Sequence, residues 1–153
     1  MRAVVTAGTG RPGGRRANMK REEVQELVRL RIEQARGALR DAELLRQGGG
    51  TAQSIVNRSY YAVFYVVLGL LHTVGRVPSK HQGVLTLFDT QFVKQGVFSK
   101  EMSATFHKAF EFRLNAGYTT TRPVPLDEAE SLLRDAGRFV GTIEEYPRGE
   151  LYS

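Results

Sequence analysis

Apolar positions recur with a helical period along nearly the whole chain. Val24, Leu27, Val28, Arg31, Ala35, Ala38, Ala42 and Leu45 mark one face of a first helix over residues 20–47, with charges on the other faces. Gly48-Gly49-Gly50 ends it, because glycine accepts the left-handed C-cap conformation. Thr51 caps a second helix reaching about Val74, whose second half, Tyr60 to Leu71, is almost continuously apolar. Twelve such residues are too few to span a bilayer and fit a central helix packed on most sides. After the turn Gly75-Arg76-Val77-Pro78, Ser79 and Gln82 have the spacing of a capping box. They open a third helix that carries Val84, Leu85, Leu87, Phe88, Phe92 and Val93 and breaks at Lys94-Gln95-Gly96. Ser99 caps a fourth helix ending near Gly117. Thr119 to Pro125 reads as an extended linker, since proline disfavours helix in the residue before it. Asp127 and Glu130 form a second capping-box pattern, and the last helix runs to about Tyr146 before Pro147 and Gly149. No segment alternates as a strand would. The pattern predicts an all-α bundle of five helices, the first two forming a long antiparallel hairpin.

Charge divides the chain into a tail and a folded part. The net charge of +6 suggests a nucleic-acid partner, yet residues 1–18 hold Arg2, Arg11, Arg15 and Arg16 and no acid. Those four are drawn from 22 basic residues set against 16 acidic ones, so the remainder carries only +2. The tail is rich in Gly, Thr and Arg and is expected to be disordered. Met19-Lys20-Arg21-Glu22-Glu23 reads like a natural start, which leaves two readings of residues 1–18 open: a leader foreign to the natural protein, or a basic arm that touches phosphate. The expected organisation is a tail over 1–18, one helical domain over 19–147 and a short C-terminal tail over 148–153.

Candidate chemistry is sparse. With no cysteine, disulfides, thiolate catalysis and cysteine-ligated metals are excluded. No secretory signal is visible at the N-terminus, so a cytoplasmic location is expected. The three histidines have no i, i+4 metal spacing and no H-E-x-x-H, so neither a metal site nor a cofactor is expected. No phosphate-binding glycine loop follows a strand, and Gly-Thr-Gly-Arg-Pro-Gly-Gly in the tail is discounted for that reason. One residue breaks the apolar pattern: Phe106, Phe110 and Arg113 fall on one helical face, and a guanidinium is seldom buried without a partner. Arg113 therefore marks an internal ion pair, an interface or an anion site. Arg58 lies among Ile55, Ala62 and Tyr65, where an internal pair steadying the central helix is the first expectation. Tyr60, Tyr61 and Tyr65 could stack on bases, but helical spacing inside an apolar run favours core or dimer contacts. Lys80 and His81 open the third helix, where free backbone N–H groups and the helix dipole favour an anion. His72 and His107 read as ordinary surface or packing residues.

Three blocks occur in a telling order: Asn57-Arg58-Ser59-Tyr60-Tyr61-Ala62-Val63-Phe64-Tyr65, Ser79-Lys80-His81-Gln82-Gly83-Val84, and Phe112-Arg113-Leu114-Asn115-Ala116-Gly117-Tyr118. Together they resemble the HEPN superfamily, in its small prokaryotic, UPF0332-like branch, over about residues 20–146. The resemblance implies a helical bundle that forms a homodimer and is often encoded beside a minimal nucleotidyltransferase. Such a HEPN protein can be a ribonuclease toxin, neutralised by its partner, in some cases by transfer of AMP to a HEPN tyrosine. Other HEPN domains only bind RNA or a nucleotide. The nuclease signature of the family is an arginine followed, after four to six residues, by a histidine. Here Arg113 is kept, Tyr118 stands at the four-residue histidine position, and Thr120 stands where the toxin-type tyrosine would be. A phenol with a pKa of about 10 is a poor base at neutral pH, although it donates hydrogen bonds well. Arg113 with Tyr118 thus reads as a phosphate-binding pair more than a nuclease, with Lys80, His81 and Arg58 as further contacts. An active metal-independent ribonuclease toxin using Arg113, Tyr118 or His81, and a structural subunit with no ligand, are the alternatives.

Overall fold

The computed structural model describes residues 21–118 and 123–146, with the side chains of 116–118 excepted. Among the described residues five α-helices follow one another: α1 (Arg21–Gln47), α2 (Ala52–Val74), α3 (His81–Phe88), α4 (Lys100–Tyr118) and α5 (Leu126–Tyr146). Among the described residues there is no strand. The expectations for residues 1–18, for Thr119–Arg122 and for the C-terminal tail lie outside the described residues.

α1 and α2 form the expected antiparallel hairpin, and theirs is the most extensive helix–helix contact in the bundle. Its register shows in cross-links from end to end. The Gly50 amide donates to the Leu45 carbonyl at the turn. Arg58 approaches Asp41 in the middle, and Arg31 meets His72 at the far end. Gly49, at φ 78°, supplies the left-handed residue that ends α1. Thr51 caps α2, its Oγ1 accepting from the Ser54 amide at 3.1 Å. α2 is long and apolar enough to cross a membrane by length and composition, but 72% of that stretch is buried in the bundle. α5 packs antiparallel to α1, joined by Arg36 Nε to Glu144 at 3.1 Å and by Arg46 to Glu130 at 4.0 Å.

The α3 region departs from expectation. Its N-cap is Lys80, extended at φ −109° and ψ 146° with no side-chain cap, so Ser79 and Gln82 form no capping box. The chain instead doubles back tightly. A Cβ on Gly83 would lie 2.8 Å from Pro78 Cβ, so the approach of Pro78 to the first turn requires glycine. α3 also stops at Phe88 rather than reaching Val93 as an α-helix. Asp89–Val93 is a π-helical turn, with the Lys94 amide donating to the Asp89 carbonyl at 2.8 Å. The wider turn keeps Phe88 and Phe92 both inside while Asp89 reaches α4. There its carboxylate accepts from Ser103 Oγ at 2.8 Å and lies 2.6 Å from His107 Nε2.

Ser99 caps α4 as expected, its Oγ accepting from the Met102 amide at 3.2 Å. α5 begins one residue before Asp127. Pro125 holds the cap position and its carbonyl accepts from Glu128 and Ala129, so Asp127 and Glu130 make no capping box and Glu130 turns to Arg46. The core is built on rings. Phe88, Phe106 and Phe139 are fully or almost fully buried and stand 5.4 to 6.1 Å apart, joining α3, α4 and α5. Because Phe106 touches both partners, Phe106→Ala should destabilise the fold by about 3–5 kcal/mol. Urea unfolding of the two proteins measures this, and a loss under about 1 kcal/mol would mean that the core can close around the gap.

Candidate functional site

The site forms where α2, the first turn of α3 and the second half of α4 meet. On α2, Tyr60 faces the core with no exposure, and its ring lies among Tyr61, Phe64, Phe106 and Phe110. Its hydroxyl meets His81 Nδ1 at 3.1 Å. Helical rotation puts Tyr61 on the neighbouring, half-buried face, edge-on to Tyr60 with ring centres 5.1 Å apart. Arg113 reaches across from α4. Its Cζ lies 5.2 Å from the Tyr60 ring centre and 5.3 Å from that of Tyr61, and its Nη2 donates to Tyr61 Oη at 3.1 Å. Arg58 lies 5.7 Å from the Tyr61 ring centre, so two guanidinium groups attend one tyrosine. His81 packs closely against Phe64, with ring centres 4.2 Å apart and the planes tilted by 42°.

Arg58 forms the ion pair expected of it, a long one to Asp41, whereas Arg113 forms none among the described residues. Among the described residues no carboxylate pairs with Arg113; two aromatic faces and one phenol oxygen hold it. Arg58 has a carboxylate nearby, but Asp41 Oδ2 stands 3.9 Å from its Nε, too far for a hydrogen bond. Two buried side-chain polar atoms among the described residues lack a hydrogen-bond partner, Arg58 Nε and Ser59 Oγ, and they are neighbours in sequence just before Tyr60. Two guanidinium groups therefore meet here, Arg58 with the Asp41 carboxylate 3.9 Å away and Arg113 with no carboxylate partner among the described residues.

The structure brings Arg113, Arg58 and His81 to one place. Lys80 is exposed at the N-cap of the helix that carries His81. The Tyr118 side chain lies outside the described residues, so the expected pairing of Arg113 with Tyr118 is not placed; Thr120 lies outside them as well. Tyr60 is a core residue and cannot stack on a base, whereas Tyr61 and Tyr65 are half-buried. His72 and His107 lie elsewhere and are hydrogen-bonded rather than merely packed: His72 accepts from Arg31 at 3.4 Å, and His107 faces Asp89. Sequence reading missed Asp89 as a partner, and the i, i+4 pair Ser103 and His107 was the only local sign of that cluster. Among the described residues no three His, Asp or Glu side chains gather as a metal site would require.

Burial raises the Tyr60 phenol well above its ordinary pKa, with Arg113 opposing the rise. Burial, and then the charge of Arg113, lower His81 below the ordinary histidine value. What the cluster offers to a ligand is mainly donors: two guanidinium groups and the Tyr61 O–H, beside the second ring nitrogen of His81.

The HEPN domain profile matches residues 28–146. A "UPF0332 protein" of Thermotoga maritima is 35% identical over 123 residues, which covers 80% of this chain and 92% of that one. Two proteins of Methanocaldococcus jannaschii carry the name "Putative toxin". One is 34% identical over 127 residues, covering 82% of this chain and 89% of its own length. The other is 35% identical over 91 residues, covering 60% and 62%. The chain belongs to the HEPN domain family, in its UPF0332-like branch.

Both His72 and His81 are lowered, His72 by burial and then by Arg31. The unfolded chain therefore takes up protons more readily at these positions. Their contribution to stability is complete above the unfolded value of about 6.5 and is lost as pH falls through the folded values. Unfolding midpoints in urea should fall between pH 7.5 and pH 5.5, and His72→Gln and His81→Gln should each flatten that slope. An equal slope in wild type and both variants would assign the acid sensitivity to other groups.

Proposed function

We propose that this chain is the HEPN component of a toxin–antitoxin-like pair, and that it binds a phosphate of RNA or of a nucleotide at the Arg113 cluster. The observation that carries the reading is Arg113 itself, a half-buried guanidinium held by two aromatic rings and a phenol with no acid beside it among the described residues. A cation held in place with unused donors is suited to an oxyanion, which it can meet with two parallel hydrogen bonds. Arg58 and His81 border the same place, and Lys80 extends the positive rim. The names of the archaeal relatives agree with a toxin-like role. In this reading the chain works in the cytoplasm as a homodimer beside a minimal nucleotidyltransferase that neutralises it, as the family resemblance implies.

A second reading, a metal-independent ribonuclease, is favoured by one observation. An imidazole, His81, stands in the same cluster as the arginine, although it comes from α3 rather than from the residues following Arg113.

The test is binding and cleavage of a short single-stranded RNA, and binding of 5′-AMP, in EDTA. Arg113→Ala should weaken binding by about 10- to 100-fold, the worth of a charge-assisted hydrogen bond. It should cost only about 1 kcal/mol of stability, because no buried carboxylate is orphaned. Unchanged binding together with a large fall in stability would assign Arg113 a structural role. Cleavage lost in both Arg113→Ala and His81→Ala would establish the ribonuclease.

A further inference from the structure

Tyr60 has no exposed surface, so its O–H must find an acceptor inside the protein or remain costly and unpaired. Among the described residues the groups around it are few. Tyr61, Phe64, Phe106 and Phe110 present rings. Arg113 can only donate, and its Nη2 is turned to Tyr61. The remaining partner is His81 Nδ1, at 3.1 Å. In the opposite arrangement, with a proton on Nδ1 donated to the Tyr60 oxygen, the Tyr60 O–H would point into rings with nothing to accept it. A doubly protonated His81 has the same defect and adds a second cation beside Arg113. Nδ1 is the ring nitrogen turned to the buried phenol, which leaves Nε2 as the nitrogen of this half-buried side chain that a ligand could meet.

We propose that Tyr60 is a positioning residue that locks His81 in the Nε2–H form, so that His81 meets a ligand as a hydrogen-bond donor and not as a proton acceptor. The raised phenol and the lowered imidazole agree with two neutral partners. The lock applies to either reading of the site. For phosphate binding it adds a neutral donor beside the cationic donors of Arg113, and the anion has only acceptors to offer. For a ribonuclease it withdraws His81 as the base, because Nε2 already carries its proton and Nδ1 is occupied by the Tyr60 hydroxyl. Its use in binding rests on the phosphate reading above, but the lock itself does not.

Histidine 15N spectra of the full chain at pH 7.5 test the lock, with the His81 signals assigned by their disappearance in His81→Gln. Wild type should show His81 neutral, with the proton on Nε2 and Nδ1 unprotonated. Tyr60→Phe removes the donor, so the Nδ1 signal should move away from its hydrogen-bonded position and the His81 titration midpoint should rise. Among the described residues, the charged and titratable groups facing His81 are Tyr60 and Tyr61 from α2 and Arg113 from α4. Of these, Tyr60→Phe alters only the phenol that touches the ring. A wild-type His81 carrying its proton on Nδ1, or doubly protonated at pH 7.5, overturns the proposal whether or not the variant folds. A folded Tyr60→Phe with unchanged His81 signals and midpoint also overturns it. A parallel titration with 5′-AMP separates this from the ligand reading: the lock seen without AMP binding leaves the lock standing and removes the nucleotide, while AMP binding without the lock does the reverse. If both hold, Tyr60→Phe should weaken AMP by about fivefold, roughly one neutral hydrogen bond.

Discussion

The fully buried hydroxyl of Tyr60 is the constraint around which this end of the bundle is arranged. A phenol in that position has to be supplied with an acceptor, and the acceptor comes from another element, the first turn of α3. That hydrogen bond ties the start of the eight-residue α3 to the long α2, and the buried Val84, Leu85 and Phe88 hold the rest of it in the core. Tyr60 also sets the environment of Arg113, which lies over the Tyr60 ring and borrows the neighbouring phenol of Tyr61. Packing and candidate chemistry share the same atoms here. The face that α2 buries to hold the fold also presents the site.

How far the sequence foretold this differs between elements. The long helices were readable because their apolar stripes span several turns and their ends carry strong local signals: Gly49 at positive φ, and Thr51 and Ser99 as hydrogen-bonding caps. Shorter-range signals misled. Ser79 with Gln82, and Asp127 with Glu130, match a capping box, yet Pro78 folds onto Gly83 and Pro125 occupies the cap of α5, so the backbone took other routes. The π-helical turn left no mark in the apolar pattern, because Phe88 and Phe92 are spaced as an α-helix would have them. It accompanies a tertiary contact, the reach of Asp89 to Ser103 and His107.

The site was legible as a set of residues and not as a geometry. Arg113 stood out because it interrupts an apolar face, Arg58 for the same reason, and His81 because it opens a helix. Nothing in their spacing showed that a single pair of adjacent tyrosines would gather all three. Tyr60 and Tyr61 differ by one residue, and the rotation of about 100° between them turns one into core and the other into a half-buried ligand of Arg113. The expectation that Arg58 would be paired is met by Asp41, at 3.9 Å and without a hydrogen bond.

The rings of the core run on beyond the site. From Tyr61 and Tyr60 they pass through Phe106 to Phe88, then Phe98, and end at Tyr146 in the last turn of α5. Each ring touches the next, so the six positions are not independent in the sense that distant sites are. Over evolutionary drift such a column should change in concert: a smaller ring at one position is tolerated when a neighbour enlarges to fill the space. Relatives that differ at Phe98 or Tyr146 should therefore tend to differ at the adjoining rings too, and the end of α5 farthest from Arg113 along the column would carry part of the record of how the arginine's surroundings were kept.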